Sequence, residues 1–432
     1  MSSQGGIRTA EEYKQARYAE NLCCRTEGAE ASSTKGSPEG RVVDSELGIL
    51  PWPQPDKIVK QIMAPWLTMS EKSCVGEALT SGWVGSIGPV VESFETLLSE
   101  HLGQETISVA NGSVALILGL SALEIGPGDE VLVPDLSYAA TASSVVRVGA
   151  TPVFVDVSED TWNISLREIV NKTNQRTKAI IVVHSYGVPA DIEAILAFCS
   201  SRGIAVIEDA AEAFNGQVRG KFLGTFGDIG TYSFFANKLI TTGEGGAVTA
   251  KSKEMVDRLR LLRGQGMDPQ RRYWFVEPGF NFRMSSLPAA VGTAQLRRLQ
   301  EIVAKRGEVE SLYRTELWED MNWPTVIDGG TRTPWIFTGA IKTDSPRCVR
   351  QIAETLALNG YETRPVFYPL SSMPAFKLAA AGKEVSSPVA HDISRRGISL
   401  PSSHLVTSQD VTKICSIIKK ERIDANNRHF SK

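Results

Sequence analysis

No run of apolar residues in this 432-residue chain is long enough to cross a bilayer. Even the stretch from Val114 to Ile125 falls short of the roughly 20 residues that a membrane helix needs. The first thirty residues contain no apolar segment of the secretory kind, so a leader peptide is not expected. Charge of one sign is scarce too: a net charge of −3 gives no field that would draw nucleic acid or an anionic membrane. The cysteines (Cys23, Cys24, Cys74, Cys199, Cys348 and Cys415) are scattered without metal-ligand spacing, so no metal is expected. Free thiols in a reducing cytoplasm fit that usage. There is no internal repeat. What is present is an ordinary globular composition, 42% apolar and 22% charged, over a length that supports a large core and more than one domain.

The beginning of the chain is punctuated by Gly, Ser and Glu, as in Glu27-Gly-Ala-Glu-Ala-Ser-Ser-Thr-Lys-Gly-Ser-Pro-Glu-Gly40. Such a composition buries too little apolar surface to offset ordering entropy, which predicts a flexible extension over residues 1–60 with one short helical stretch, Thr9 to Leu22. From Pro65 the pattern becomes regular. Helical stretches are expected from Ser70 to Thr80 and from Pro89 to Leu102, the second with Val91, Phe94, Leu97 and Leu98 on one face. Strands and helices then alternate in α/β fashion up to about Lys251. A long helix, Ser286 to Leu317, follows. Beyond Asn322 the elements shorten (Trp335–Ile341, Pro346–Ala357, Gln409–Glu421). This predicts a large domain over 61–320 and a smaller α+β domain over 321–432.

The chain is organised around Thr231-Tyr-Ser-Phe-Phe-Ala-Asn-Lys-Leu-Ile-Thr-Thr-Gly-Glu-Gly-Gly246, an apolar strand ending near Lys238 and a glycine-rich turn. Desolvation there lowers a lysine's pKa toward a usable amine, and such amines form Schiff bases with carbonyl compounds, pyridoxal phosphate being the commonest cofactor partner. A solvated loop lysine would carry the same spacing. Four other pieces bear on the choice. Ser108-Val-Ala-Asn-Gly-Ser-Val-Ala-Leu116 reads as strand, tight turn and helix, so Gly112 and Ser113 fall where a helix N-terminus holds phosphate; a plain cap reads alike. Tyr138, just past a strand, is either a ring for stacking on a planar cofactor or a core tyrosine. Asp209 ends an apolar strand, where ligands of open α/β sheets bind, with Glu212 one turn on; a helix cap or a metal ligand are the other readings. Asn281 and Arg283 form a polar pair among aromatics in Gly279-Phe-Asn-Phe-Arg-Met-Ser285.

Taken in order, these pieces resemble the DegT/DnrJ/EryC1/StrS family of nucleotide-sugar aminotransferases over roughly residues 60 to 425. The resemblance extends to Gly126-Pro-Gly-Asp-Glu-Val-Leu-Val-Pro134, Gly149-Ala-Thr-Pro-Val-Phe-Val-Asp156, His184-Ser-Tyr-Gly-Val-Pro-Ala-Asp191, Glu208-Asp-Ala-Ala211 and Gly227-Asp-Ile-Gly230. It implies the α/β architecture of PLP fold type I (aspartate aminotransferase-like), with a mainly parallel sheet between helices and a smaller C-terminal α+β domain. It implies pyridoxal 5′-phosphate as cofactor, with pyridoxamine phosphate as its amino form. The carried-over roles are Gly112, Ser113 and Ser233 on the phosphate, Tyr138 on the ring, Asp209 on the ring nitrogen, Glu212 toward the ring hydroxyl, and Lys238 as the catalytic amine. By the same resemblance Asn281 reaches the phosphate of a partner subunit, which implies a homodimer with a shared active site; Arg283 and His184 stand as candidate substrate contacts. The implied substrates are L-glutamate and a nucleotide-diphosphate keto sugar, of the GDP-4-keto-6-deoxymannose type aminated at carbon 4. A related sugar 3-dehydratase has histidine at the lysine position, so Lys238 points to transamination. A PLP-dependent dehydratase or lyase and a non-catalytic PLP-fold regulator are the alternatives.

Overall fold

The computed structural model describes residues 51–343, 345–377 and 385–430. The expected tail up to residue 50, its Thr9–Leu22 helix and the pair Cys23 and Cys24 lie outside the described residues. In the first half of the described chain come β1 (Thr106–Val109), β2 (Glu130–Pro134), β3 (Thr151–Val155), β4 (Thr177–Val183) and β5 (Ala205–Asp209). Two-residue β6 (Gln217–Val218) and β7 (Lys221–Phe222) follow, then β8 (Ile229–Ser233) and β9 (Gly246–Ala250). Seven of these form one sheet in the order β1-β9-β8-β5-β4-β2-β3. β9 runs antiparallel to both its neighbours, and the pairs from β8 to β3 are parallel. The fold is α/β, as expected.

Alternation along the strands explains why the sheet lies between helices. Ile180, Val182 and Val206 face one hydrophobic cluster, while Ala179, Ile181 and Ile207 face another. Both faces are covered, so the strands read as continuous apolar runs rather than alternating ones.

Later in the chain β10 (Met321–Asn322), β11 (Gly330–Thr331), β12 (Phe337–Ile341), β13 (Arg364–Pro365) and β14 (Gly397–Leu400) appear. Four of them form a second sheet, β10-β12-β14-β13, with its own core around Tyr313, Phe337, Ile352 and Ile414. Residues Trp52 to Lys432 nevertheless make one compact unit, within which the expected division near residue 320 falls.

Three expectations about elements are corrected. Residues 52–60 were expected in the flexible extension, but they are pinned to the C-terminal part. Trp52 Nε1 donates to Thr363 Oγ1 at 3.1 Å, Val59 N to Gly360 O at 2.7 Å, and Lys60 pairs with Asp410 at 3.2 Å. The first helix begins at Met69 rather than Ser70, because Thr68 and Glu71 form a reciprocal capping box. The long helix is two, Ser286–Arg297 and Leu299–Glu316, separated at Arg298 (φ −102°, ψ 10°). No proline or glycine marks that break. The Arg298 side chain is drawn away to Glu71 at 2.9 Å and to the face of Trp66.

One buried carboxylate ties the first strand to its surroundings. Glu95 Oε1 accepts from Ser108 N at 2.9 Å and from Arg263 Nη1 at 2.5 Å, and Oε2 accepts from Arg260 Nη1 at 3.1 Å. Burial alone would push this carboxyl up; Arg263, Arg260 and the Ser108 N–H hold it below the usual range. Removing one partner of a buried ion pair strands the other charge. Glu95→Ala is therefore expected to lower the unfolding free energy by about 3–5 kcal/mol at neutral pH, measured by urea denaturation. Because the folded-state pKa is depressed, the contribution is present above the unfolded carboxylate value of about 4.3 and disappears as pH falls below it, so the gap between parent and variant should close on acidification.

Candidate active site

Adjacent strands β5, β4, β2 and β3 each deliver a polar residue at or just past the carboxyl end, and the structure sorts these four by what they touch. Asp135, after β2, accepts from the Ser371 N–H and hydroxyl, both at 2.7 Å. Asp156, after β3, accepts from Ala390 N at 2.9 Å and Val389 N at 3.1 Å, in the first turn of the helix Pro388–Arg396. His184, after β4, is fully buried; its Nδ1 accepts from Ala190 N at 3.1 Å, which places the ring proton on Nε2, 3.0 Å from Glu208 Oε2. Both His184 nitrogens are thus engaged in the core, and the expected contact with a substrate is corrected to a bracing role behind β5. Asp209 is the one of the four that faces the lysine.

Asp209 is buried, with Oδ1 accepting from Ala211 N at 3.1 Å and Oδ2 from Thr141 Oγ1 at 3.3 Å. The chain after it forms turns rather than a helix, so the helix-cap reading does not hold. Among the described residues no cluster of three or more His, Cys, Asp or Glu could hold a metal ion. Burial pushes Asp209 up, against the Ala211 N–H, Lys238 and Thr141. Glu212, also buried, accepts from Tyr186 N at 2.8 Å; burial raises it to about 7, with Lys238 and the Tyr186 N–H opposing and Asp209 reinforcing. Lys238 is half-buried, and desolvation lowers its pKa while Glu212 and Asp209 raise it. The three titrating groups share one electrostatic neighbourhood.

On the opposite side stands the turn after β1. Asn111 caps the helix Gly112–Ala122 by accepting from Val114 N at 3.0 Å, so the plain-cap reading is right for Asn111. Helix geometry leaves the first N–H groups, at Gly112 and Ser113, directed out of that end. A Cβ on Gly112 would lie 2.8 Å from Ser233 Cβ and 3.2 Å from its Oγ, so the glycine keeps a cradle open between helix end and β8. Tyr138 is 63% exposed at the start of the helix Ala139–Arg147, its ring centroid 6.1 Å from that of Phe367. The core-tyrosine reading fails there. Asn281 is exposed and bridged to Gly264, and Arg283 Nε donates to Ser86 Oγ at 3.1 Å. Among the described residues, no hydrogen bond or ion pair joins either of them to Lys238, Asp209 or Glu212.

Several residues were not anticipated. Glu208 sits in a quoted motif, yet its role comes only from the fold: it accepts from Gly224 N at 2.9 Å and from Phe226 N and Gly227 N at 2.6 Å, locking the loop before β8. Tyr186 adopts φ 51°, ψ 30°, which turns its amide toward Glu212. Thr141, Arg306 and Trp335 carry no motif, and Trp335 lies 98 positions from the Asn237 carbonyl it binds.

The donor set suits pyridoxal phosphate: a cradle at a helix N-terminus for the phosphate, a buried acid for a pyridine nitrogen, and a desolvated amine for the aldehyde. Fold and site together are those of the fold-type I pyridoxal-phosphate-dependent aminotransferases. More narrowly, the chain belongs to the DegT/DnrJ/EryC1/StrS aminotransferase family, whose model matches residues 66–419. It is 40% identical to the GDP-perosamine synthase of Escherichia coli O157:H7 over 361 residues, covering 83% of this chain and 97% of that one. Among solved structures, the aminotransferase TlmJ from Streptoalloteichus hindustanus is 31% identical with a TM-score of 0.78, over 84% of this chain and 98% of that one. Spr1654 from Streptococcus pneumoniae in its PLP form is 25% identical with a TM-score of 0.79, over 85% and 99% of the two chains.

Two outcomes are expected. Gly112→Ala fills the cradle, and at the usual cost of overpacking should weaken cofactor retention by roughly tenfold or more, read by absorbance titration of the stripped protein. Glu212→Gln removes a carboxyl raised by burial. Its folded pKa exceeds the unfolded value, so the parent loses stability relative to the variant as pH rises from about 4.5 to about 7, and the gap then levels at roughly 3 kcal/mol. Thermal unfolding of cofactor-stripped protein across that range measures it.

Proposed function

We propose that the protein transfers the amino group of L-glutamate to the keto carbon of a nucleotide-diphosphate deoxysugar, of the GDP-4-keto-6-deoxymannose type, giving a 4-amino sugar such as GDP-perosamine. The reading is carried by buried Asp209 at the end of β5 and buried Glu212 in the turn after it, the two acids that act electrostatically on Lys238, together with the cradle between Gly112 and Ser233. The similarity to a GDP-perosamine synthase along nearly all of that relative's length supports the substrate class. Lysine at position 238 favours amino transfer over dehydration.

Pyridoxal phosphate, when bound, supplies an aldehyde carbon that accepts amines and a ring that takes up the electron pair released at the substrate carbon. Asp209 acts as the counter-ion that keeps the ring nitrogen protonated; an opposite charge at about 4–6 Å raises such a group by roughly one to three units. Lys238 Nζ takes the proton from the carbon of the glutamate donor and delivers one to the sugar carbon in the second half-reaction. A desolvated amine suits both directions, because a fully charged ammonium cannot accept a proton. Gly112, Ser113 and Ser233 would hold the phosphate, Tyr138 would cover the ring, and Glu212 would face its hydroxyl.

Asn281 acts, in this reading, at the phosphate of a second copy, so the working form is a homodimer. Its exposure and the exposed Tyr273, Trp274, Phe275 and Val276 just before it are consistent with a surface that a partner covers. Nothing in the charge or cysteine usage calls for another compartment than the cytoplasm. Among the described residues no helix is long and apolar enough to span a membrane.

The test is a panel of nucleotide-linked keto sugars offered, together with L-glutamate, to the enzyme loaded with its cofactor, with mass spectrometry of the products. An amino sugar formed at the expense of glutamate is expected, and Lys238→Ala should lower turnover by roughly 10³-fold or more. Borohydride reduction of the native enzyme should leave a pyridoxyl group on Lys238. A product without nitrogen would sink the proposal.

A further inference from the structure

Two successive carbonyl groups at the lysine are held by side chains far away in sequence. Trp335 Nε1 donates to Asn237 O at 2.7 Å, and Arg306 Nη2 donates to Lys238 O at 3.0 Å. Trp335 also makes a second contact: the centroid of its ring lies 4.2 Å from Lys238 Nζ. One side chain therefore grips the lysine segment at its backbone and at its far end. The indole is itself immobile, being 5% exposed and stacked on Tyr186 at 6.3 Å between centroids. Tyr186 in turn stacks on Phe367 at 5.1 Å, and its hydroxyl accepts from Phe367 N at 3.0 Å.

We infer that Trp335 is a positioning residue for the Lys238 amine, its N–H fixing where the lysine side chain begins and its ring face giving the protonated amine a resting place. The inference rests on the proposed role of Lys238 as the working amine. An ammonium on a half-buried lysine has lost part of its water, and an aromatic face replaces some of that solvation. The replacement differs from a third carboxylate, which would form an ion pair and hold the amine charged. The titratable groups acting on the amine are Asp209 and Glu212 from the chain after β5, while Arg306 from the helix Leu299–Glu316 is engaged with the lysine's backbone carbonyl. Behind the indole stand Tyr186 and Arg332, whose Nη2 donates to Tyr186 O at 3.1 Å. The lysine must let go of its partner and return in each half-reaction. A ring at this distance gives the free amine a defined resting position while leaving it able to give up its proton.

The experiment uses the full chain loaded with pyridoxamine phosphate, in which the lysine amine is free. Acetylation of Lys238 is followed across pH by peptide mass spectrometry, which gives the midpoint of the amine's titration. In Trp335→Leu an apolar side chain still excludes water but offers no ring face, so the charged form loses a partner. The midpoint should fall by about one pH unit, and kcat by roughly tenfold with little change in KM. A midpoint that stays put or rises, as expected of a residue that only fills space, overturns the inference. Trp335→Phe keeps a ring and loses the N–H; it should retain the parent midpoint while kcat falls, and it carries the test alone if the leucine variant does not fold. An unaltered kcat in a folded phenylalanine variant overturns the backbone half of the inference. The titration is read without a sugar, so its outcome is separable from the choice of substrate, and Lys238→Ala reports on the underlying role independently.

Discussion

The electrostatic balance among Lys238, Asp209 and Glu212 governs the rest of the site. Burial pushes the amine down and both carboxyls up, and each acid pulls the amine the other way. These shifts oppose one another, so the three groups titrate as an interacting set. The surroundings are correspondingly stiff. Glu208, immediately before Asp209, takes three backbone N–H groups and the His184 ring, while the Asp209 carboxylate is itself held by Ala211 and Thr141. A buried carboxylate with that many donors has little freedom to move.

Delivery of these groups follows from sheet geometry. Parallel strands all end on the same edge, so residues far apart in the chain arrive side by side without any loop having to bring them there. β9 is the exception in direction, and its pairing places Gly246 opposite both Val109 and Ser233, bringing the end of β1 and the end of β8 together. That is why the Asn111–Ser113 turn and Ser233 can share one cradle, with Gly112 as the residue small enough to fit between them.

Much of this was legible in the sequence. The main strands were readable because they are largely apolar runs bounded by turns, and Asp209 stands at a strand end where a carboxylate is conspicuous; Gly112 instead opens the helix after β1, and Lys238 lies in the turn region beyond Ser233, past the strand that the sequence had suggested runs up to it. The second sheet was less readable, since β10 and β13 have two residues each and carry no periodicity. The break at Arg298 could not be foreseen from propensity, because its cause is a tertiary pull toward Glu71 and Trp66. His184 looked like a ligand group at a strand end, and only its two core hydrogen bonds reveal otherwise. Trp335 and Arg306 were invisible for a similar reason: what they do depends on long-range placement, with no local pattern to announce it.

The anchoring of the C-terminal segment to Asp135 and Asp156 has a mechanical consequence. These two carboxylates occupy the same sheet edge that presents Asp209, and they bind Ser371 and the helix beginning at Pro388 through several buried donors. Swinging that region away would strip partners from two acids at once, each a loss of the order of 1–3 kcal/mol per stranded group. Opening by a hinge between the two sheets is thereby discouraged.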